Sequence, residues 1–395
     1  MSTKSQARKR ILLTGGRAPV TLELARLFHR SGYEVYTAES FPNHLCRFSA
    51  KVKRSFPVPP PNQNPEGYRD SLITMMNSAE IDWLIPTCEE IFWIARWKPE
   101  IEALCPGKID CPDFDTLSRF HNKYTFIQRV QAYGFHVPKT FLASSVEELL
   151  QYHRELNVPS VMKPVFSRFG TQVKFLPDHM EHAPVGIDIS PKKQWVLQRR
   201  ILGTQYCTYS IIHQGTITAH TTYRMGFNLS GGASISFEAV NHQGTMDFVR
   251  RFARAEHFSG QIAFDIIEDC HGDLYPIECN PRATGGVHLL AGNPLFARAF
   301  FESTGAPIMP QPGTKRMLFF PMLYSGMLSL SDPNTRKCWW ETFHSSKDVI
   351  WDHRDPIPFF HQLTIPLSLW RISRKNKLSS LAEASTRDIE WNGEP

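Results

Sequence analysis

Short apolar runs alternate with longer amphipathic stretches in the first part of the chain. The run ILLTGG ends in a glycine turn and predicts a buried strand. The following VTLELARLFHRSG repeats its apolar residues at helical spacing until Gly32, and YEVYTAES predicts a second strand. A strand-helix-strand unit normally places its two strands parallel in one sheet, so the pattern predicts an α/β domain with a doubly wound parallel sheet over residues 9–115.

The pattern changes in the next unit, over residues 116–306. Two helical stretches come first, and most later segments show the alternation of strands. IAFDIIED and DLYPIECN flank the short sequence CHG, which predicts an antiparallel hairpin. The unit is therefore expected to be α+β, with antiparallel sheets. After it we expect a small C-terminal α+β region over 307–372 and a flexible tail over 373–395.

The composition indicates a globular protein and excludes several function classes. The chain has 395 residues, of which 42% are hydrophobic and 21% are charged. Its net charge of +6 is not concentrated in one region, which argues against a nucleic-acid partner. Eight dispersed cysteines without a CxxC pair are typical of a reducing compartment, and we expect a cytoplasmic protein.

Membrane segments are also not expected. The first apolar run is too short for the core of a signal peptide, and no apolar run reaches the roughly 18 residues of a membrane span. QLTIPLSLW, at 362–370, could contact a membrane surface or a partner, but a buried packing segment is the favoured interpretation. The basic RISRKNK that follows is interpreted as solvated, with a surface contact as the alternative.

Two acidic residues of the predicted hairpin form the strongest candidate site. Asp265 lies inside an apolar strand, where an unpaired carboxylate is costly, and Glu278 lies on the returning strand. Antiparallel pairing would bring the two carboxylates together, and Asn280 shares a face with Glu278 because side chains alternate along a strand. Two carboxylates and an amide oxygen suit magnesium. A salt-bridged hairpin end is the alternative.

Arg282 follows on the same face as Glu278 and Asn280, within YPIECNPRATGG. A guanidinium there could stabilise charge that develops on a transferred phosphoryl or acyl group. Arg224 and His288 could contact a carboxylate or an amine on the acceptor side, although both could equally be structural.

Basic residues and a small polar loop accompany a second strand. Lys163 ends the apolar VMK and must either extend to solvent or meet an anion. SRFGT follows, and its Gly170 would let the backbone approach a phosphate group. Lys123, on a helix, would in the simplest interpretation be a surface lysine. Taken alone, these features are weak signals.

The stretch WVLQRRILGTQY is interpreted either as an exposed edge strand or as a nucleotide hinge. In a hinge, backbone groups near Gln198 and Arg199 would pair with an adenine edge, and Gln205 would reach a ribose. In the first domain, LLTGGRAPV does not match a dinucleotide or phosphate-loop motif. A small-molecule site at the carboxyl edge of the parallel sheet is more plausible there, and PTCEE, at 86–90, could share it. The simpler interpretation of PTCEE is an acidic helix N-terminus.

Set together and in this order, the motifs resemble the ATP-grasp superfamily, in particular its carbamoyl-phosphate-synthase-like ligases. The resemblance extends from about Ile11 to about Gly292, and its specificity comes from the ordered set RILLTGGRAPVTLELARLF, SRFHNKYTF, VMKPVFSRFGT, LQRRILGTQ and AFDIIEDCHGDLYPIECNPRATGG. It implies that the protein uses ATP and magnesium, with manganese as an alternative metal.

The resemblance also implies a role for each matching residue. Lys163 and Arg282 would be catalytic, and Asp265, Glu278 and Asn280 would hold the metal. Nucleotide binding would involve Lys123, Lys163, Ser167, Gly170, Gln198, Arg199, Ile201 and Gln205. The chain departs from the family in having one glycine in the phosphate loop, and in having glutamine at positions 198 and 205, where glutamates are common.

The implied reaction joins a small-molecule carboxylate to an amine. ATP would phosphorylate the carboxylate, and the amine would attack the acyl phosphate, with release of ADP and phosphate. Three alternatives remain: an ATP-grasp kinase that forms no amide, a non-catalytic nucleotide-binding module, and a nicotinamide-dependent reductase using the first domain. The sequence leaves the oligomeric state open, with a homodimer as one possibility.

Overall fold

The N-terminal part of the chain forms a parallel sheet. The computed structural model describes residues 8–167, 172–227, 234–328, 332–376 and 385–393. Five parallel strands are arranged in the order β3-β2-β1-β4-β5. They are β1 (Arg10–Thr14), β2 (Glu34–Glu39), β3 (Arg54–Pro57), β4 (Trp83–Ile85) and β5 (Lys108–Ile109). The connecting helices are α1 (Pro19–Arg30), α2 (Pro65–Ser78) and α3 (Glu90–Leu104). The predicted doubly wound domain is confirmed.

Strand β1 is buried on both faces, which explains its continuous apolar sequence. Ile11 and Leu13 pack into one core together with Phe28 of α1. Leu12, between them, packs into a second core on the other face with Leu72 of α2. The helices thus cover both sides of the sheet and leave its carboxyl edge facing the rest of the chain.

A four-stranded antiparallel sheet follows, in the order β6-β9-β7-β8. Helices α4 (Phe114–His121) and α5 (Lys123–Ala132) lead into it. Its elements are β6 (Thr140–Ala143), α6 (Val146–Leu156), β7 (Ser160–Pro164), β8 (Lys174–Leu176) and β9 (Trp195–Arg199). The hydroxyl of Ser145 accepts a hydrogen bond from the Glu148 amide and caps α6.

A seven-stranded sheet carries the predicted hairpin. Its order is β14-β13-β10-β11-β12-β15-β16, and every neighbouring pair except β15 and β16 is antiparallel. The elements are β10 (Thr204–His213), β11 (Thr216–Met225), β12 (Ser236–Val240), α7 (Gln243–Ala255), β13 (Gly260–Glu268), β14 (Leu274–Asn280), α8 (Val287–Leu290), β15 (Lys315–Met317) and β16 (Lys347–Asp348). Strands β13 and β14 form the expected hairpin, so the α+β prediction is confirmed.

The C-terminal region is mainly helical, and it contacts both the seven-stranded sheet and the N-terminal domain. Its helices are α9 (Phe319–Leu328), α10 (Pro333–Ser345), α11 (Ile357–His361) and α12 (Ile365–Asn376). The Arg26 guanidinium of α1 donates from Nε to Asp355 Oδ2 at 2.9 Å, and both side chains are almost completely buried. Such a pair is costly to break, because removing one partner leaves a buried charge without its counter-ion.

One sequence expectation about the C-terminus is wrong. Residues 385–393 do not form a flexible tail, because Trp391 is 4% exposed in the core that also contains α2 and α3. Segment 362–370 does pack on the N-terminal domain, where Ile365 contacts the core around Leu22, but Leu363 and Trp370 are 60% and 46% exposed. Sequence composition could not predict the contacts of Trp391, because its ring partners lie more than two hundred residues away in the sequence.

Two further expectations concern the whole fold. Among the described residues, no helix is both long and apolar enough to cross a bilayer. No disulfide joins the eight cysteines, all of which lie in the described part of the chain.

Candidate functional site

The β13–β14 hairpin places two carboxylates opposite each other. Asp265 and Glu278 are register partners, and the register shifts immediately after Asp265. Asn280 lies on the same face as Glu278, and its Nδ2 donates to Asp265 Oδ2 at 3.3 Å. The strand pairing predicted from the sequence is therefore confirmed, and it brings together the three residues expected to hold a metal.

The two carboxylates differ in their electrostatic surroundings. Burial and the charge of Glu278 raise the pKa of Asp265 to about 6, against a hydrogen bond from the Cys207 thiol at 2.6 Å. Burial also acts to raise the pKa of Glu278, but the ammonium groups of Lys123 and Lys163 outweigh it and hold that pKa below its ordinary value. One carboxylate is thus neutralised by lysines, whereas Asp265 lacks a full counter-charge. A divalent cation beside Asp265 fits this donor set.

Two lysines surround Glu278 from different elements. Lys163, at the end of β7, is 4% exposed and donates to the Ile277 carbonyl at 3.1 Å. Burial lowers the pKa of Lys163 to about 8, although the charge of Glu278 acts in the opposite direction. Lys123, at the start of α5, is 1% exposed, and its Nζ lies 3.5 Å from Glu278 Oε1. The simple interpretation of Lys123 as a surface lysine is wrong.

The start of the proposed phosphate loop is attached to this cluster. Lys123 Nζ donates to the Ser167 carbonyl at 2.9 Å, and the Lys123 amide donates to the Val165 carbonyl. Gly170 lies outside the described residues, so its expected role stays a prediction. Ser167 belongs to the site through its backbone in this structure.

The hinge residues occupy the end of β9 and the start of β10. The Gln198 side chain is buried and donates to Thr140 Oγ1 at 3.0 Å, so its amide is used within the sheet. The Arg199 amide donates to the Lys139 carbonyl, while its side chain is exposed. Ile201 lies past the end of β9, and the Gln205 side chain is exposed on β10. These positions leave Ile201 and Gln205, rather than the Gln198 side chain, accessible to a ligand.

Arg282 connects the metal cluster to the N-terminal sheet. Its Nε donates to Glu89 Oε1 at 2.8 Å, and its Nη2 donates to Asn280 Oδ1 at 3.1 Å. Burial alone would lower the pKa of Arg282, but the carboxylate of Glu89 outweighs it and raises that pKa. Glu89 belongs to PTCEE, which follows β4 at the carboxyl edge of the parallel sheet. The favoured interpretation of PTCEE as an acidic helix N-terminus is confirmed, because Glu89 precedes α3 and Glu90 begins it. A small-molecule site at this edge stays a prediction.

His121 lies at the same junction and was not found from the sequence. Its Nε2 is 3.9 Å from Glu89 Oε2, and its ring packs against Phe92 and Phe166. Burial lowers the pKa of His121 to about 4, although Glu89 favours the charged ring. The imidazole is therefore neutral at physiological pH. The sequence feature that could have pointed to His121 is its place in SRFHNK, at the end of α4 and two residues before Lys123.

The C-terminal segment, residues 385–393, runs across the carboxyl edge of the parallel sheet. The Asp388 carboxylate accepts hydrogen bonds from Arg17 Nη1 at 2.6 Å and Nη2 at 2.7 Å, and from Ser40 Oγ at 2.7 Å. Arg17 follows β1 and is also bound by Glu39 at the end of β2. A bidentate guanidinium contact of this kind fixes both distance and orientation.

The other end of the C-terminal segment reaches the phosphate loop. The Trp391 ring stacks on Phe92 and meets Phe166 edge-on, each at a centroid distance of 4.9 Å. Phe166 directly precedes Ser167, whose carbonyl holds Lys123. The segment therefore links the N-terminal sheet edge to the nucleotide side of the site. The sequence carries only one signal for it, the late Trp391.

The two acceptor-side candidates lie in different places. Arg224 is exposed, and its Nη2 donates to the Tyr206 hydroxyl at 3.2 Å. His288 is buried, with Nδ1 3.2 Å from Glu23 Oε2. His288 lines a cavity of about 340 Å³ whose lining includes Arg316 but none of the metal and phosphate residues. These two residues do not join the main cluster.

The two carboxylates should respond oppositely to pH in metal-free protein. The pKa of Asp265 is higher in the folded protein than in the unfolded chain, so folding disfavours the ionised form. The free energy of unfolding therefore falls as the pH rises to the folded-state pKa, and ionised Asp265 lowers stability above about pH 6. Asp265→Asn should therefore raise the free energy of unfolding at pH 8 by about 1–3 kcal/mol, with little gain at pH 4. Urea unfolding in the presence of a chelator measures this.

Glu278→Gln is the matched control with the opposite sign. The pKa of Glu278 is lower in the folded protein than in the unfolded chain, so the ionised carboxylate stabilises the fold, and this stability is lost as the pH falls. The variant lacks that carboxylate and should be less stable than wild type at pH 8. The difference should shrink toward low pH. Equal shifts of both variants in the same direction would contradict this description of the site.

Comparison with known proteins places the fold. No family model matches the chain. N5-carboxyaminoimidazole synthetase from Staphylococcus aureus is similar over 82% of this chain and 86% of its own, with a TM-score of 0.62 and 11% identity. L-amino acid ligase from Bacillus licheniformis is similar over 74% of both chains, with a TM-score of 0.56 and 18% identity.

A third similar structure contains nucleotide. The biotin carboxylase domain of Hydrogenobacter thermophilus 2-oxoglutarate carboxylase, in complex with MgADP, ADP and bicarbonate, matches 75% of this chain and 70% of its own. Its TM-score is 0.59 at 12% identity. At such identities the likeness concerns the fold. The resemblance seen in the motifs and the similarity of these structures agree, and the chain has the ATP-grasp fold.

Proposed function

We propose that this protein is an ATP-dependent ligase that activates a small-molecule carboxylate as an acyl phosphate and joins it to an amine, releasing ADP and phosphate. The observation that carries the proposal is the cluster of the partly buried Asp265 and Glu278 with the buried Lys123 and Lys163. On an ATP-grasp fold, such a cluster suits a magnesium-bound triphosphate.

The acidic face of the hairpin is proposed to hold the metal. Asp265, Glu278 and Asn280 supply oxygen ligands, and bound magnesium would neutralise charge on the ATP phosphates. The raised pKa of Asp265 supports this role, because a cation would remove the cost of its ionisation. The MgADP in the biotin carboxylase complex gives independent support for this cofactor pair.

The nucleotide is proposed to lie between the two antiparallel sheets. Lys123 and Lys163 would contact its phosphates, with Ser167 and Gly170 in the covering loop. Backbone groups near Gln198, Arg199 and Ile201 would meet the adenine, and Gln205 would meet the ribose. The exposed position of Gln205 and the placement of Ile201 beyond β9 support this assignment.

Catalysis is proposed to depend on positioning and electrostatics rather than on a covalent nucleophile. Arg282 would stabilise charge on the transferred phosphoryl group, and Lys163 would assist from β7 of the four-stranded sheet. Glu89 fixes the Arg282 guanidinium through the hydrogen bond at 2.8 Å. Because Glu89 belongs to the N-terminal domain, that domain would also present the acceptor side of the cleft.

We predict that ATP turnover requires both a carboxylic acid and an amine. Purified protein should be screened against amino acids and small acids, with ADP release and product mass measured together. ADP with an amide product is expected, because an acyl phosphate leaves ADP behind. AMP and pyrophosphate would refute the scheme. A stable phosphorylated product without an amine would indicate a kinase, and nucleotide binding without turnover would indicate a non-catalytic module.

Lys163→Ala and Glu278→Gln should each abolish magnesium-ATP turnover while the protein still folds. Lys163 is buried and the Glu278 side chain is only 21% exposed, so solvent does not fully replace the lost charge. A loss of at least about 100-fold is expected in ADP release. Lys174→Ala is the matched control, because Lys174 is exposed on the adjacent strand β8. Near-normal turnover in either cluster variant would refute its assigned role.

Trp391→Ala should weaken ATP use without removing catalytic groups. Its ring supports Phe166, and Ser167 beside it holds Lys123. We expect KM for ATP to rise about tenfold with a smaller change in kcat, and Trp391→Phe to restore most of the loss. Leu72→Ala, in the same core, controls for lost stability. If both alanine variants change KM equally, the effect is general destabilisation.

A further inference from the structure

The C-terminal helices expose an unusual amount of apolar surface. Ten large apolar side chains between residues 323 and 370 are at least 40% exposed, compared with six in all earlier described residues. They are Leu323, Tyr324, Met327, Trp340, Trp351, Ile357, Phe360, Leu363, Leu367 and Trp370. Single exposed apolar residues need no explanation, but a concentration of this kind marks an interaction surface.

Half of these residues form one stripe along a helical segment. Helix α11, a 3₁₀ turn at Gln362–Thr364 and α12 follow one another without a break. The stripe consists of Ile357, Phe360, Leu363, Leu367 and Trp370, with exposures between 46% and 60%. Spacings of three and four residues place these side chains on one face of the segment.

The opposite face of the segment is docked on the protein. Asn43 Nδ2 donates to Thr364 Oγ1 at 3.1 Å and to Ser368 Oγ at 2.8 Å. Phe359 and Ile365 pack against the small core that contains Leu22 of α1. Because these contacts fix the orientation of the segment, its apolar stripe is held facing outward.

Positive charge follows the stripe. Residues 357–376 contain no aspartate or glutamate, and Arg371, Arg374 and Lys375 lie at their C-terminal end. The Arg374 guanidinium lies 4.6 Å from the centroid of the Trp370 ring. The same segment thus presents an apolar stripe that ends in a tryptophan, with the Arg374 guanidinium beside that ring.

We propose that residues 357–376 form a docking surface for an anionic lipid bilayer, on which the segment lies in the plane of the interface. A helix with an outward apolar stripe, a tryptophan and basic residues has the chemistry of interfacial membrane helices. The cations would meet anionic headgroups, each contributing about 1 kcal/mol near the surface. Contact would be peripheral, since among the described residues no helix is suited to span the bilayer.

Charge favours the bilayer over a second copy of the chain. In a two-fold symmetric contact the stripe would meet itself, and residues 357–376 would supply cations to both sides and no carboxylate to either. An anionic lipid surface complements both parts of the stripe at once. This inference goes beyond the proposed function, because none of the metal and phosphate residues belongs to the segment.

Vesicle flotation of the full-length protein tests the proposal. Vesicles of phosphatidylcholine with about one third phosphatidylglycerol should carry the protein to the top of the gradient, and vesicles of phosphatidylcholine alone should carry at least about tenfold less. Binding should fall when salt is raised from about 0.1 M to about 0.5 M, because salt screens the headgroup contact.

Variants separate the two parts of the surface. The double variant Leu367→Glu with Trp370→Glu, and the double variant Arg371→Glu with Arg374→Glu, should each lower binding to the anionic vesicles at least about tenfold. Leu104→Glu is the matched control, because Leu104 is 55% exposed on α3 and should leave binding unchanged. Circular dichroism and urea unfolding confirm that each variant is folded.

Several results would overturn the proposal. They are absence of flotation with anionic vesicles, equal binding to neutral vesicles, or unchanged binding by both double variants. Dissociation of a dimer by Leu367→Glu with Trp370→Glu, seen by light scattering, would assign the stripe to a second copy instead. Vesicle binding requires no turnover, so failure of the ligase proposal would not alter this test.

Discussion

Repulsion between the carboxylates of Asp265 and Glu278 determines the arrangement of the surrounding charges. Two buried acids on adjacent strands can both ionise only if cations lie close to them. Lys123 and Lys163 supply that charge to Glu278, and the pKa of Glu278 is correspondingly low. Asp265 retains a raised pKa, because burial and the charge of Glu278 outweigh the attraction of Lys163 and Arg282. The positive charge that Asp265 still lacks explains why this pair of acids, which is costly in the absence of a cation, suits a metal-bound phosphate group.

The cluster depends on the assembly of several separate elements. Lys123 begins α5, Lys163 ends β7 of the smaller antiparallel sheet, and Glu278 lies in the larger one. Arg282 then extends the charge network to Glu89 at the edge of the parallel sheet. Because each charge is buried with its partner, the domains cannot separate at this junction without exposing or isolating one of them. The same contacts that position the site therefore help to join the domains.

Two segments of the C-terminal part of the chain face in opposite directions. Residues 385–393 turn inward, where Asp388 meets Arg17 and Trp391 meets Phe166. Residues 357–376 face outward with an apolar stripe, although Thr364 and Ser368 hold them to the N-terminal domain. Aromatic burial fixes the first segment, and polar contacts on one face orient the second. The apolar and basic residues of a sequence do not by themselves indicate whether a segment packs inward or faces outward.

The sequence by itself determined the local structure and the order of the motifs. Side-chain alternation predicted the hairpin that pairs Asp265 with Glu278, and the helical period predicted α1 between parallel strands, because neighbours in sequence set both periods. Tertiary structure alone decided that Lys123 is buried, that Glu89 and His121 join the site, and that Trp391 supports the phosphate loop. It also decided that the stripe ending in Trp370 faces outward. These outcomes depend on contacts between residues that are far apart in the sequence. The spacing of residues along the chain does not indicate which distant residues will pack against a given side chain.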